Sequence, residues 1–302
     1  MLGRTYHRFK RFRSRNEGRL ASSAWGFAVG RIYAHPKLRR TLTAILPRPR
    51  EPQNWAFLVG CYNSGTTILR DVLDAHPLVS TLPREGVKLT SAFPDLQAGG
   101  WIRMLMRNRD KWTMPEENAV RIAEVAKRDW GPLWSRKATI YLEKSITHSV
   151  RMPWLEQTFG NPYFIVIRRN GYCVCEGIAR RAQPTGAARE EIGETYPMRL
   201  LAEQWFAVNE TIDDALPGLR HVHVLSYEEL VEDPLGVVGG LYEFLGLSRP
   251  EMAMVEGALH IEGQPFAIRN MNPSSLDRLS DTDRAEAGPI MAPLFEKYGY
   301  DV

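Results

Sequence analysis

The chain has 302 residues, of which 44% are hydrophobic and 25% are charged, the composition of a folded globular protein with room for a large core. The first 50 residues contain 13 lysine or arginine residues and a single acid, so they carry a net charge of +12 and leave −8 for the remainder. This distribution argues against nucleic-acid binding by the folded part. No run approaches the roughly 20 apolar residues that cross a membrane.

Residues 1–50 are predicted to be a basic N-terminal arm and linker, because their proline-rich end, residues 46–52, disfavours both helix and central strand. The arm suits peripheral contact with an acidic membrane surface, or it is a solvated and partly helical lead-in to the domain. The three cysteines, Cys61, Cys173 and Cys175, have neither zinc-site spacing nor a disulfide framework. We therefore expect a cytoplasmic protein, with any membrane association confined to the arm.

Residues 51–302 are predicted to form one domain in which strands and helices alternate. Four short apolar runs have the length and composition of buried parallel strands, at residues 55–60, 140–142, 163–167 and 221–225. Six further segments have helical spacing, at residues 66–76, 115–129, 172–182, 198–216, 234–245 and 281–298. This alternation predicts an α/β fold with a central parallel sheet flanked by helices.

The turn after the first strand is predicted to bind a phosphate group. The strand ends at Gly60, a turn of small and polar residues follows, and a helix starts near Thr66. Backbone N–H groups and the helix dipole converge at such a turn and favour an anion. An ordinary P-loop has a lysine directly after its second glycine, whereas Thr66 follows Gly65 in this chain, which argues against a γ-phosphate site. A simple helix cap is the alternative role for the motif.

The motifs around this turn resemble those of sulfotransferases that use 3′-phosphoadenosine-5′-phosphosulfate (PAPS). The SGTT motif at residues 64–67 is similar to their 5′-phosphosulfate loop, and the DAHP motif at residues 74–77 is nearest to the tyrosylprotein and bacterial branch. The resemblance implies a P-loop-like domain whose phosphosulfate contacts come from Asn63, Ser64, Gly65, Thr66 and Thr67. The family usually has Arg or Lys where this chain has Asn63, so positive charge on the sulfonate must come from another residue.

A second segment resembles the family's site for the 3′-phosphate. Arg169, just after the strand at residues 163–167, matches the family's arginine, whereas Gly177 stands where the family has a serine. Arg181 matches a further phosphate-binding arginine of the tyrosylprotein branch. A planar guanidinium suits a phosphate dianion, although a surface ion pair is the alternative role for either arginine.

The C-terminal part of the chain resembles the same family. The YEELVEDP motif at residues 227–234 is similar to a family segment whose tyrosine, Tyr227 in this chain, lies near the adenine. The FLGL motif at residues 244–247 and the APLFEKYGY motif at residues 292–300 are similar to later family segments. Arg269 completes the expected cofactor-binding set.

For the chemistry, the resemblance implies in-line transfer of a sulfuryl group from PAPS to an acceptor hydroxyl or amine, with adenosine 3′,5′-bisphosphate (PAP) as the second product. Glu85 is similar to the glutamate that follows the DAHP motif in the family, and it would act as the general base, with His148 as a weaker candidate. Lys144 is similar to the lysine that stabilises the transferring group. No metal is required for such a transfer.

The acceptor and two other functions remain open at this level. The acceptor pocket is expected from residues 87–114 and 184–196, and a small molecule, a glycan, a lipid or a peptide could fill it. A P-loop nucleoside or sugar kinase would share the sheet and the phosphate turn, but it needs the missing loop lysine. A non-catalytic nucleotide-binding adaptor finds its best support in Asn63 and Gly177, the two departures from the family pattern.

Overall fold

The computed structural model describes residues 35–45, 52–248, 260–261, 264–265 and 268–301. Residues 1–34 of the predicted arm and residues 46–51 of the predicted linker lie outside these ranges. The α-helices are α1 (Pro36–Ile45), α2 (Thr66–Leu73), α3 (Ala119–Trp130), α4 (Met152–Thr158), α5 (Gly171–Arg181), α6 (Gly186–Ile192), α7 (Met198–Ala215), α8 (Tyr227–Glu232), α9 (Pro234–Phe244), α10 (Asn272–Leu276) and α11 (Asp281–Tyr298).

The strands are β1 (Asn54–Gly60), β2 (Val79–Thr81), β3 (Ile140–Glu143), β4 (Tyr163–Arg168), β5 (His221–Ser226), β6 (His260–Ile261) and β7 (Gln264–Pro265). Short 3₁₀ helices lie at Gly86–Lys88, Ala98–Gly100, Leu105–Lys111, Glu116–Asn118, Gly131–Leu133, Ile146–Val150 and Leu216–Gly218. Among the described residues, no helix combines the length and the apolar character that crossing a membrane demands.

Five parallel strands form the central sheet, in the order β2-β3-β1-β4-β5. Strand β1 lies in the middle, with Phe57 in register with Glu143 of β3 on one side and with Phe164 of β4 on the other. Every residue of β1 after Asn54 is buried, as expected for a central strand covered on both faces. The predicted α/β fold with a central parallel sheet flanked by helices is confirmed.

Side chains that alternate along β1 build two separate cores. Phe57 and Val59 point into the larger one, which contains Trp205 of α7 and most of the other tryptophans. Ala56 and Leu58 point into the smaller one, which α2, α8 and α9 cover. Since successive strand residues face opposite sides, a continuously apolar strand is what two covered faces require.

The four predicted strands and six predicted helical segments are present, with ends shifted by no more than a few residues. Strand β2 and the short helices α4, α6, α8 and α10 escaped prediction, because segments of three to seven residues are too short to show a period. Helix α1 lies inside the segment predicted to be an arm. Its Arg39 is buried, with Nε 3.3 Å from a carboxylate oxygen of Asp129 on α3, so this part packs against the domain.

The parallel arrangement places the chemically interesting residues along one edge of the sheet. Strand β1 ends directly before the turn at residues 61–65, β3 ends before Lys144, and β4 ends before Arg169. In open α/β sheets, ligands bind outside the carboxyl ends of the strands. The fold therefore brings three segments that are far apart in sequence to one edge.

Candidate active site

The turn at residues 61–65 leads from β1 into α2 and leaves polar groups without partners. Asn63 and Gly65 both have left-handed backbone conformations, with φ angles of 64° and 96°. Ser64 is fully buried, and its hydroxyl has no hydrogen-bond partner in the described part of the chain. Thr66 is buried at the first turn of α2, whereas Thr67 is exposed. The turn has the shape and the unused donors expected of an anion site.

Gly65 is where the turn touches the predicted adenine segment. A Cβ atom on Gly65 would lie 2.8 Å from Cδ2 of Tyr227, which is closer than real Cβ contacts. Tyr227 is buried at the start of α8, directly after β5. Its hydroxyl donates to the main-chain oxygen of Arg269 over 2.8 Å and accepts from the N–H of Met271 over 3.1 Å. Tyr227 thus fixes the chain around Arg269, whose side chain is exposed.

Arg169 joins the turn to two other parts of the site. Its Nη1 donates to the main-chain oxygen of Asn63 over 2.8 Å, and its Nε donates to Oδ1 of Asn272 over 2.8 Å. The guanidinium carbon lies 4.2 Å from the centre of the Tyr227 ring. Its Nη2 is buried and has no partner among the described residues. A buried donor without a partner costs free energy, so this guanidinium is prepared for a further acceptor.

The side chain of Asn63 accepts hydrogen bonds from two arginines. Its Oδ1 accepts from Nη1 of Arg103 over 2.8 Å and from Nη1 of Arg181 over 3.5 Å. Burial lowers the pKa of Arg181, and repulsion by Arg180, Arg103 and Arg169 lowers it further. Three arginines, Arg103, Arg169 and Arg181, thus lie around one turn, an arrangement that favours an anion.

Gly177 lies behind the side chain of Asn63. A Cβ atom on Gly177 would lie 3.1 Å from Cβ and 3.2 Å from Nδ2 of Asn63. The serine expected from the family resemblance is therefore absent, and the Asn63 side chain occupies the space that it would fill. The assignment of Gly177 to the cofactor site stays a prediction, and its visible role is to support Asn63.

Glu85 and Lys144, the two predicted catalytic residues, form an ion pair. Nζ of Lys144 lies 3.2 Å from Oε1 of Glu85, and Nζ of Lys88 lies 3.1 Å from Oε2. Burial alone would raise the pKa of Glu85, but the two lysines outweigh it and hold that pKa below its usual value. Burial lowers the pKa of Lys144, against the opposing effect of Glu85. Glu85 is therefore a carboxylate at neutral pH, the form that accepts a proton.

Glu143 is a buried positioning residue that sequence reasoning missed. Its Oε1 accepts from the N–H of Gly86 over 2.6 Å and from the hydroxyl of Ser145 over 2.5 Å, which fixes the chain beside Glu85. Burial raises the pKa of Glu143 to about 7, although these hydrogen bonds oppose the rise. Nε2 of His148 lies 3.2 Å from the other carboxylate oxygen. Burial holds the pKa of His148 well below its usual value, so this imidazole is neutral and enclosed.

Arg103 is the second residue that sequence reasoning missed. It lies in the segment 87–114 that was predicted only to shape the acceptor pocket, and no motif marks it. Burial lowers the pKa of Arg103, while Tyr62 and Glu85 raise it, so its guanidinium lies within electrostatic reach of the predicted base. Arg103 therefore connects the turn at Asn63 with Glu85. In the described ranges, no group of three or more potential metal ligands occurs.

Comparison with known proteins identifies a family and a shared fold. A model of the sulfotransferase family matches residues 56–251. Sulfotransferase STF9 from Mycobacterium avium aligns over 93% of this chain and 86% of its own, with 13% identity and a TM-score of 0.54. The sulfotransferase domain of the Synechococcus PCC 7002 olefin synthase aligns over 85% and 98%, with 19% identity and a TM-score of 0.51. At such identities the likeness concerns the fold. No curated protein sequence gives a significant match.

Proposed function

Because the chain belongs to the sulfotransferase family, whose members transfer a sulfuryl group, we propose that PAPS is its donor and that a hydroxyl or amine is its acceptor. The observation that carries this proposal is a set of buried donors around one turn that have no partner among the described residues. These are the hydroxyl of Ser64, Nδ2 of Asn63 and Nη2 of Arg169. PAPS has a phosphosulfate and a 3′-phosphate, which would supply acceptors to all three.

In the proposed complex, the residues of the turn hold the 5′-phosphosulfate and two arginines hold the 3′-phosphate. Arg169 contacts both the turn and the ring of Tyr227, so in this complex it would lie between a phosphate and the adenine. Arg181, on the last turn of α5, is the second cation. Stacking of the adenine near Tyr227 would complete the donor site.

The transfer proceeds by displacement at sulfur. The acceptor oxygen or nitrogen forms a bond to sulfur, the bond between sulfur and the bridging oxygen breaks, and the electron pair leaves with PAP. The proton of the acceptor moves to Glu85, which is ionised because of its two lysine partners. Lys144, whose Nζ lies 3.2 Å from Glu85, would exchange this contact for one with the sulfonate or the bridging oxygen.

Calorimetry with PAP and with ATP in the presence of magnesium tests the donor. We expect PAP to bind and ATP to bind far more weakly, because the turn has no lysine for a γ-phosphate. Tight binding of ATP without binding of PAP would contradict the proposal. Transfer from radiolabelled PAPS to phenols, peptides, glycans and lipids then identifies the acceptor class.

The arginine assignment is tested by Arg169→Ala with Arg220→Ala as its control. Loss of the Arg169 guanidinium removes a charge-assisted contact and should weaken PAP binding by about 2–5 kcal/mol. Arg220 is exposed and lies directly before β5, at the edge of the sheet opposite to the turn, so its loss should leave PAP binding unchanged. Equal affinities for the two variants would refute the role of Arg169.

A further inference from the structure

Position 63 of the turn carries no charge, but the side chain of Arg103 brings a cation to it from another segment. Nη1 of Arg103 donates to Oδ1 of Asn63 over 2.8 Å, across a sequence separation of 40 residues. The guanidinium carbon of Arg103 lies 5.8 Å from the centre of the ring of Tyr62, which belongs to the same turn. The Arg103 guanidinium thus lies against the turn, in direct contact with the side chain at position 63.

The backbone of Arg103 is held in a strained conformation. Its φ angle is 65°, a left-handed value that is unfavourable for a residue other than glycine. Its N–H donates to Oε1 of Gln97 over 2.9 Å, and the N–H of Gln97 donates to Oδ1 of Asp95 over 2.9 Å. Strain of this kind persists only where the surroundings impose it, and it occurs at functional sites.

The segment that carries Arg103 is also anchored to the second predicted acceptor segment. The rings of Trp101 and Tyr196 stack with centroids 6.3 Å apart. The N–H of Thr185 donates to the oxygen of Gly100 over 3.1 Å. These contacts on the residues just before Arg103 keep its side chain directed at the turn.

We propose that Arg103 contacts the transferring sulfonate of the donor and supplies the charge that Asn63 lacks. The inference rests on the proposed donor. On donor binding, Arg103 keeps its place beside Asn63 and turns its remaining N–H groups to sulfonate oxygens, while Lys144 approaches from the side of Glu85. A cation fixed before the reaction stabilises developing charge without reorganisation. Its location makes the acceptor segment part of the donor site.

The test compares Arg103→Gln with Arg220→Gln, which removes the same charge from an exposed residue directly before β5, at the opposite edge of the sheet. Arg103→Gln should lower kcat for radiolabelled PAPS by roughly 10²-fold to 10³-fold, the usual cost of one lost transition-state donor. The Kd of PAP, which has no sulfonate, should change less than about threefold, a threshold set against the tenfold that 1.4 kcal/mol represents. Arg220→Gln should match the wild type in both.

A second variant distinguishes charge from folding. Adding Asn63→Lys to Arg103→Gln restores a cation beside the sulfonate and should recover at least about tenfold in kcat, equal to 1.4 kcal/mol of barrier. Failure of that rescue, a kcat of Arg103→Gln equal to that of the wild type, or equal losses for PAP and PAPS binding would each overturn the inference. A wild-type protein that does not bind PAP would instead refute the proposed donor, so the two failures are distinguishable.

Discussion

Asn63 is one of the two positions at which this chain departs from the family pattern, and its surroundings explain the substitution. The left-handed backbone at position 63 is a conformation that asparagine tolerates better than most residues. Its side-chain oxygen accepts from Arg103 and Arg181. A lysine or arginine at position 63 would place a like charge against both of these residues. The neutral amide is therefore matched to a site whose cations arrive from elsewhere.

The separate roles of Glu85 and Lys144 predict different losses. Glu85→Gln keeps the size of the side chain but removes its basicity, so turnover should fall roughly 10²-fold to 10⁴-fold while PAP affinity changes little. A more acidic acceptor should partly rescue Glu85→Gln. Lys144→Met should lose turnover at every pH, since it removes a charge and not a base. Steady-state rates with two acceptors of different acidity check this prediction, and wild-type turnover in Glu85→Gln would remove Glu85 as the base.

Lys88 provides a pH test that leaves Lys144 in place. Its ammonium lies 3.1 Å from Glu85 and helps to hold the pKa of that carboxyl below its usual value. In Lys88→Met the pKa of Glu85 should rise, because burial is then opposed by Lys144 alone. The base must be ionised, so the acid limb of kcat/KM should move to higher pH. Lys137→Met, at an exposed lysine, is the control; an acid limb that stays in place in both variants contradicts the assignment.

At the scale of elements, the bounds of α11 show how local signals end a helix. The hydroxyl of Ser280 accepts from the N–H of Asp283 over 3.1 Å, and the carboxylate of Asp283 accepts from the N–H of Ser280 over 2.9 Å, a capping box. Gly299 closes the other end in a left-handed conformation. Both ends were predicted to the residue because the residues responsible are adjacent in sequence.

At the junction of β1 and α2, the close approach of Tyr227 to Gly65 predicts that one added methyl group weakens PAP binding. Gly65→Ala should weaken PAP binding strongly, because its Cβ would lie 2.8 Å from Tyr227 and would push the turn away from the phosphate. Gly160→Ala is the control, since Gly160 has a left-handed φ of 70° and nothing within 4 Å of its Cβ position. Both variants should lose roughly 1–2 kcal/mol of stability from backbone strain. Calorimetry should show weaker PAP binding for Gly65→Ala than for Gly160→Ala. Equal affinities would indicate that the turn only caps the helix.

At the scale of the whole molecule, one carboxylate connects the sheet to both long helices. Asp213 on α7 is nearly buried and accepts from Arg168 at the end of β4. It also accepts from Nζ of Lys297 over 2.6 Å and from the hydroxyl of Tyr298 over 2.7 Å, both on α11. The end of β4, directly before Arg169, is therefore fixed to α7 and α11 through Arg168.

Asp213→Asn should lower the free energy of unfolding by about 2 kcal/mol, less than a fully buried pair costs, because Lys297 is largely exposed. Glu203→Gln breaks an exposed pair with Arg199 and should cost less than about 1 kcal/mol. Urea unfolding of both variants measures the difference. PAP affinity below the transition should match the wild type in both, and a midpoint for Asp213→Asn no lower than that of Glu203→Gln contradicts the structural role of the network.

The sequence by itself determined four of the five strands of the central sheet, the longer helices and the turn at residues 61–65. Each of these depends on neighbours in the chain: apolar runs of strand length, helical spacing and caps. The family resemblance then indicated Arg169 and Lys144, which follow predicted strands, and Glu85, which follows the DAHP motif.

Only the tertiary structure decided which distant residues meet. Arg103 reaches Asn63 across 40 positions, Glu143 reaches Gly86 across 57, and Arg39 of the predicted arm reaches Asp129. None of these pairs has a local period or spacing, because their contact depends on how segments pack once the sheet has formed. The charge that we propose for the sulfonate site is consequently a property of packing, since the residue that the family resemblance assigns to that site, Asn63, carries none.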